Sequence, residues 1–112
     1  MQNWNEMVTA QLWIGLRSEP KYWVEYVKKS TGEQCPNRQF NMFAETPEDA
    51  LYEWSVTGCG DIPAQSELAR VHLGLDGLHV LHYAIKQSPM PEEKRQLWAQ
   101  NLQNTQFVKP QA

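Results

Sequence analysis

The chain has 112 residues, 41% of them hydrophobic and 21% charged, with a formal charge of -3. This length suits one domain, residues 1–112, that buries roughly two-thirds of its unfolded surface, and the even spread of apolar residues argues against whole-chain disorder. The charge excludes the basic field behind non-specific nucleic-acid binding, and no run nears the ~20 apolar residues of a membrane helix.

The first residues, Met1 to Glu6, carry neither a basic n-region nor an apolar h-region, so a cytoplasmic protein without a signal peptide is expected. In that setting Cys35 and Cys59, which form no Cys-x-x-Cys pair, are expected as two reduced thiols. The two adjacent basic pairs, Lys28-Lys29 and Lys94-Arg95, read as solvated surface. No cofactor is implied.

Val8, Ala10, Leu12, Ile14 and Leu16 alternate with Thr9, Gln11, Trp13 and Gly15, the period-two signature of a strand. A helix competes, with Asn3 and Glu6 as a capping box and Trp4, Val8, Leu12 and Leu16 as its stripe. Trp13, Ile14 and Gly15 favour the pleat. A turn at Ser18 to Lys21 then leads into Tyr22-Trp23-Val24-Glu25-Tyr26-Val27, whose β-prone composition predicts a second strand. After a Gly- and Pro-containing loop from Ser30 to Asn37, Phe40, Met42 and Ala44 alternate with polar neighbours and Phe43, giving a third strand.

Thr46-Pro47-Glu48-Asp49 reads as a helix start: a threonine cap, proline at the first position and acids in the first turn. A helix over 47–57 is expected, stopped by Gly58. The glycines and proline of 58–63 make a loop. Pro91-Glu92-Glu93 opens a second helix with Leu97, Trp98 and Leu102 as its inward face, and a polar tail begins at about residue 105.

Between these helices, 69–86 holds all three histidines around Asp76-Gly77. As the central pair of a type I′ turn, Asp76-Gly77 would place Leu73 opposite Val80 and make His72 and His79 diagonal neighbours on one face, with His82 on the other. A helix capped by Asp76 would instead pair His79 with His82. Gly74 and Gly77 count against a continuous helix.

His72 and His79 are the candidate acid–base or metal residues, but a catalytic metal takes three protein ligands and no third is evident, so no metal site is expected. Cys59, exposed between two glycines, is a candidate nucleophile if a histidine lowers its pKa.

Five tryptophans and four tyrosines are a heavy aromatic load for this length. Trp13, Trp23, Tyr26 and Tyr83 are the candidate ligand or interface residues, because two short helices cannot cover every apolar strand face. The expected fold is α+β: a four- or five-stranded, mainly antiparallel sheet with two helices packed on one face. The expected function is a small non-enzymatic binding or assembly domain, homodimeric, taking a protein partner or small ligand, but neither nucleic acid nor membrane. The alternative is a small enzyme using His72 and His79, or Cys59.

Overall fold

A computed structural model describes residues 6–106. In chain order it contains β1 (Glu6–Ile14), α1 (Pro20–Gln34), β2 (Gln39–Glu45), β3 (Asp49–Val56), β4 (Gln65–Leu73), β5 (Gly77–Ile85) and α2 (Glu92–Asn104). The strands form one antiparallel sheet in the order β1-β5-β4-β3-β2, an α+β architecture. Strands β2 to β5 follow one another as a meander, while β1 crosses by way of α1 to the far edge. Among the described residues, no helix is long and apolar enough to cross a membrane.

Each helix packs on one face of the sheet, and strand alternation decides which. Ala50, Tyr52, Ala69, Val71, Leu78 and Val80 point to the α1 side and meet Val24. Their neighbours Leu51, Leu68, Tyr83 and Ile85 point the other way and pack with Leu102 and Met90, next to Trp98 and Ala99 of α2. The helices therefore divide the two faces rather than sharing one. The physical reason is β3 and β4, which are apolar on both sides and need cover on both. Burying each of the larger of these apolar side chains contributes about 1.5–3 kcal/mol.

The expected strand at Tyr22–Val27 is part of α1. Pro20 occupies its first turn, where the missing N–H costs nothing, and Val24 is buried with Trp23 and Val27 beside it. Lys21, Glu25, Lys29 and Glu33 remain in solvent. The tertiary demand for a cover on the sheet overrides the β propensity of the hexapeptide.

The expected helix at 47–57 is strand β3. The Thr46 cap does form, with the Asp49 N–H donating to Thr46 Oγ1 at 3.0 Å, but the Thr46 N–H also donates to the Asp49 carbonyl at 2.7 Å. This closes a tight turn that delivers the chain straight into the sheet. Because β3 is central, its sequence lacks the alternation that marks a half-buried strand.

The strand reading of 8–16 holds as far as Ile14, although Val8, Leu12 and Ile14, read as its buried face, are exposed, and the third strand holds with a register shift between Met42 and Ala44. Asn3 and Trp4, on which the competing helix rested, lie outside the described residues, as does most of the expected tail. In α2, Trp98 and Leu102 face the sheet as expected, but Leu97 is half exposed.

The two cysteines form a disulfide, Cys35 to Cys59, with Cα atoms 5.9 Å apart. It ties the end of α1 to the loop after β3 and corrects the expectation of reduced thiols.

Candidate functional site

The β4–β5 hairpin carries the histidines, and its turn differs from the expected one. Gly74 and Gly77 are the closing pair, with the Gly74 N–H donating to the Gly77 carbonyl at 2.9 Å, so Leu75-Asp76 sit at the tip. No non-glycine residue among those described has positive φ, which a type I′ turn centred on Asp76-Gly77 would require. Gly77 instead lies at φ 143°, and a Cβ there would overlap the carbonyl of Trp13. Leu73 consequently pairs with Leu78, and His72 with His79 directly. A partner shift of two residues preserves the faces, so the prediction that His82 points away from the other two histidines stands.

One row of the sheet then reads Leu12, His79, His72, Asp49 across β1, β5, β4 and β3. The imidazole centroids of His72 and His79 are 6.0 Å apart. His72 Nδ1 bonds Asp49 Oδ2 at 3.0 Å, and His79 Nε2 bonds Asp76 Oδ1 at 2.7 Å. The His79 contact holds the Asp76 carboxyl below its ordinary range.

Asp49 is itself fixed from behind. Arg70 Nε donates to Asp49 Oδ1 at 2.8 Å, and Arg70 NH1 donates to the carbonyls of Leu102, Gln103 and Thr105 at the end of α2. A cation there satisfies carbonyls that have no partner within the helix. Asp49, Arg70, Thr46 and Gln103 also line an open recess of about 230 Å³ beside the pair.

An imidazole oriented by a carboxylate is the arrangement used for general acid–base work and for supporting metal ligands. Among the described residues, no group of three or more His, Cys, Asp or Glu side chains is placed to hold a metal ion. Cys59 is in the disulfide and is no free nucleophile.

The aromatic candidates separate. Trp13 is half exposed on β1, with its ring centroid 5.9 Å from that of Trp23, a partly buried residue of α1. Tyr26 lies exposed on the outer side of α1. Tyr83, expected at a surface, is buried under α2, its ring stacked on Trp98 at 4.7 Å and its hydroxyl donating to Glu6 at 2.5 Å.

Sequence reasoning missed Asp49 and Asp76 as histidine partners, because it spent the first on a helix cap and the second on a turn. Only the strand pairing brings Asp49 beside His72. Compared with protein-family models, with curated proteins and with solved structures, the chain matches none.

Proposed function

We propose that this chain is a small non-enzymatic assembly domain that forms a homodimer through edge strand β1. The observation that carries this is the strand itself. Among the described residues β1 pairs with β5 alone, and it exposes Val8, Leu12, Trp13 and Ile14 without a lysine, arginine or proline to block a second strand. Long apolar edges of this kind are templates for pairing, and natural sheets otherwise blunt them.

The strand is also self-complementary. Paired antiparallel about Ala10, Val8 of one copy meets Leu12 of the other, Met7 meets Trp13, and Thr9 meets Gln11. A two-fold contact requires that reciprocity. Light scattering from about 1 to about 100 µM tests the reading through its mass-action dependence: a dimer is expected, and a monomer throughout sinks it.

A second reading has its own support in the two aspartate–histidine pairs, which suit an acid–base enzyme acting at the recess beside Asp49. Its test is turnover on a panel of small esters and amides, compared with His72→Gln and His79→Gln; indifference to both variants removes it.

The Cys35–Cys59 bond supports an oxidising compartment in preference to the cytoplasm expected from the N-terminus. Alkylation of thiols at lysis reads this directly, a pair that escapes alkylation favouring the oxidising compartment and an alkylated pair the cytoplasm.

A further inference from the structure

Away from the aspartate–histidine pairs, the α1 face holds a second polar group, of which the assembly reading uses only Thr9. Thr9 on β1 and His82 on β5 are direct cross-strand partners, and Glu67 on β4 lies one step along the same face, opposite Ala84 and Trp54. Thr9 Oγ1 is 3.2 Å from His82 Nδ1, and His82 Nε2 is 3.5 Å from Glu67 Oε1, a gap that a small torsion of Glu67 closes to hydrogen-bond length. The intervening residues are Ala69 and Ala84, both buried and too small to separate the polar side chains. From β3, the Trp54 indole favours the ionised Glu67 carboxylate, and the buried Tyr52 hydroxyl is the titratable group of that strand whose ionisation Glu67 opposes. From the α1 side, Lys28 and the following Arg38 lie over Phe40, on the far side of Trp54.

We propose that Glu67, His82 and Thr9 form a proton relay, in which His82 changes tautomer when Glu67 ionises and Thr9 is the outlet at edge strand β1. The chain of donors has two self-consistent polarities. With Glu67 protonated, its O–H donates to His82 Nε2, the ring proton sits on Nδ1 and donates to Thr9 Oγ1, and the Thr9 O–H points outward. In the other state the Glu67 carboxylate accepts from Nε2–H, and Nδ1 accepts from the Thr9 hydroxyl.

Three hops connect the states: the Glu67 proton passes to Nε2, the Nδ1 proton passes to Thr9 Oγ1, and the outward Thr9 proton leaves to a base at the edge, which is water or a docked acceptor. One proton leaves the protein, and every heavy-atom bond survives. The environment tunes both ends, since burial pushes the Glu67 carboxyl up to about 7 and pushes His82 down, so the step falls in the neutral range. A store that empties near neutral pH suits general acid–base transfer to a carbonyl or hydroxyl group brought against β1.

Imidazole nitrogen NMR of the full chain distinguishes the two tautomers, and a titration from about pH 5.5 to about pH 8.5 spans the step. The expected result is a change at His82 from the Nδ1–H to the Nε2–H form with a midpoint near pH 7, accompanied by shifts of the amides around Thr9. In Glu67→Gln, His82 should hold one tautomer across the range, and in Thr9→Val the tautomer change should persist while the amide shifts around residue 9 vanish. A single His82 tautomer in the unaltered protein overturns the relay, as does an unchanged transition in Glu67→Gln. Amides of β1 that ignore the titration overturn Thr9 as its outlet. None of these readings depends on whether the chain dimerises.

Discussion

His72 and His79 face each other across the β4–β5 ladder with their ring centroids 6.0 Å apart, each held by an aspartate from a different turn of the chain. Asp49 arrives from the tight turn before β3, and Asp76 from the hairpin tip. The pairing thus fastens two loops at one end of the sheet, whatever chemistry it also performs.

The Asp76 carboxyl lies below its ordinary range because His79 bonds it. A depressed carboxyl stabilises the fold above its unfolded-state pKa, and that contribution is lost as pH falls through the folded value. Asp76→Asn should therefore melt at a lower temperature than the unaltered protein at neutral pH, and the difference should shrink to nothing in strong acid. Paired melting curves across the acid range give the comparison; a difference that stays constant with pH assigns the loss to something other than the carboxylate.

Arg70 joins the end of α2 to Asp49 through four hydrogen bonds. Replacing it with leucine leaves the carbonyls of Gln103 and Thr105 short of a donor, leaves that of Leu102 with only the Thr105 N–H, and removes a charged partner from Asp49. The expected cost is about 3 kcal/mol, read from urea unfolding. Hydrogen exchange should localise the damage to the last turn of α2, and uniform protection along that helix would contradict the anchoring role.

The disulfide spans a sequence separation of 24 residues. By the chain-entropy relation, closing a loop of that length stabilises the fold by about 3.5 kcal/mol. Cys35→Ser with Cys59→Ser should lower the unfolding free energy by an amount of that order without changing the circular dichroism of the folded state. Stability indifferent to both reductant and mutation would mean the crosslink constrains little.

Leu12 lies on β1, partly exposed, in the row with His79. Leu12→Lys places a charge on the proposed pairing edge, a device that natural edge strands use against association. A monomer in light scattering is expected, with stability changed by less than about 0.5 kcal/mol, since exposed substitutions seldom cost more. A dimer that persists unchanged moves the interface away from β1.

Edge and hairpin strands were legible in the sequence. Val8 to Ile14 and Phe40 to Ala44 show their alternation, and the hairpin faces follow from Leu78 and Val80 against His79 and Leu81. The remainder was hidden for two reasons. β3 is covered on both sides, so Ala50, Leu51 and Tyr52 are consecutive buried residues and carry no period. Thr46 with Asp49 makes the same bond whether a helix or a strand follows, so that local signal cannot choose between them. At the candidate site, the histidines were visible and their face was right, but their direct opposition depended on a one-position displacement of the turn. Gly77 sets that displacement, because it must pass the Trp13 carbonyl of a strand more than sixty residues earlier in the chain.

The strand order has a consequence for how the chain is made. Thr9 and His82, partners in the finished sheet, are 73 positions apart, whereas every pairing among β2 to β5 joins strands consecutive in the chain. At ribosomal rates, the interval between synthesis of β1 and of its partner strand is roughly 4–15 s. Throughout that interval an apolar strand has no native place to dock. Within this sheet it emerges before the other strands and is the last to be seated, so crowded nascent chains have an opportunity to exchange it, each lending its β1 to the β5 of a neighbour.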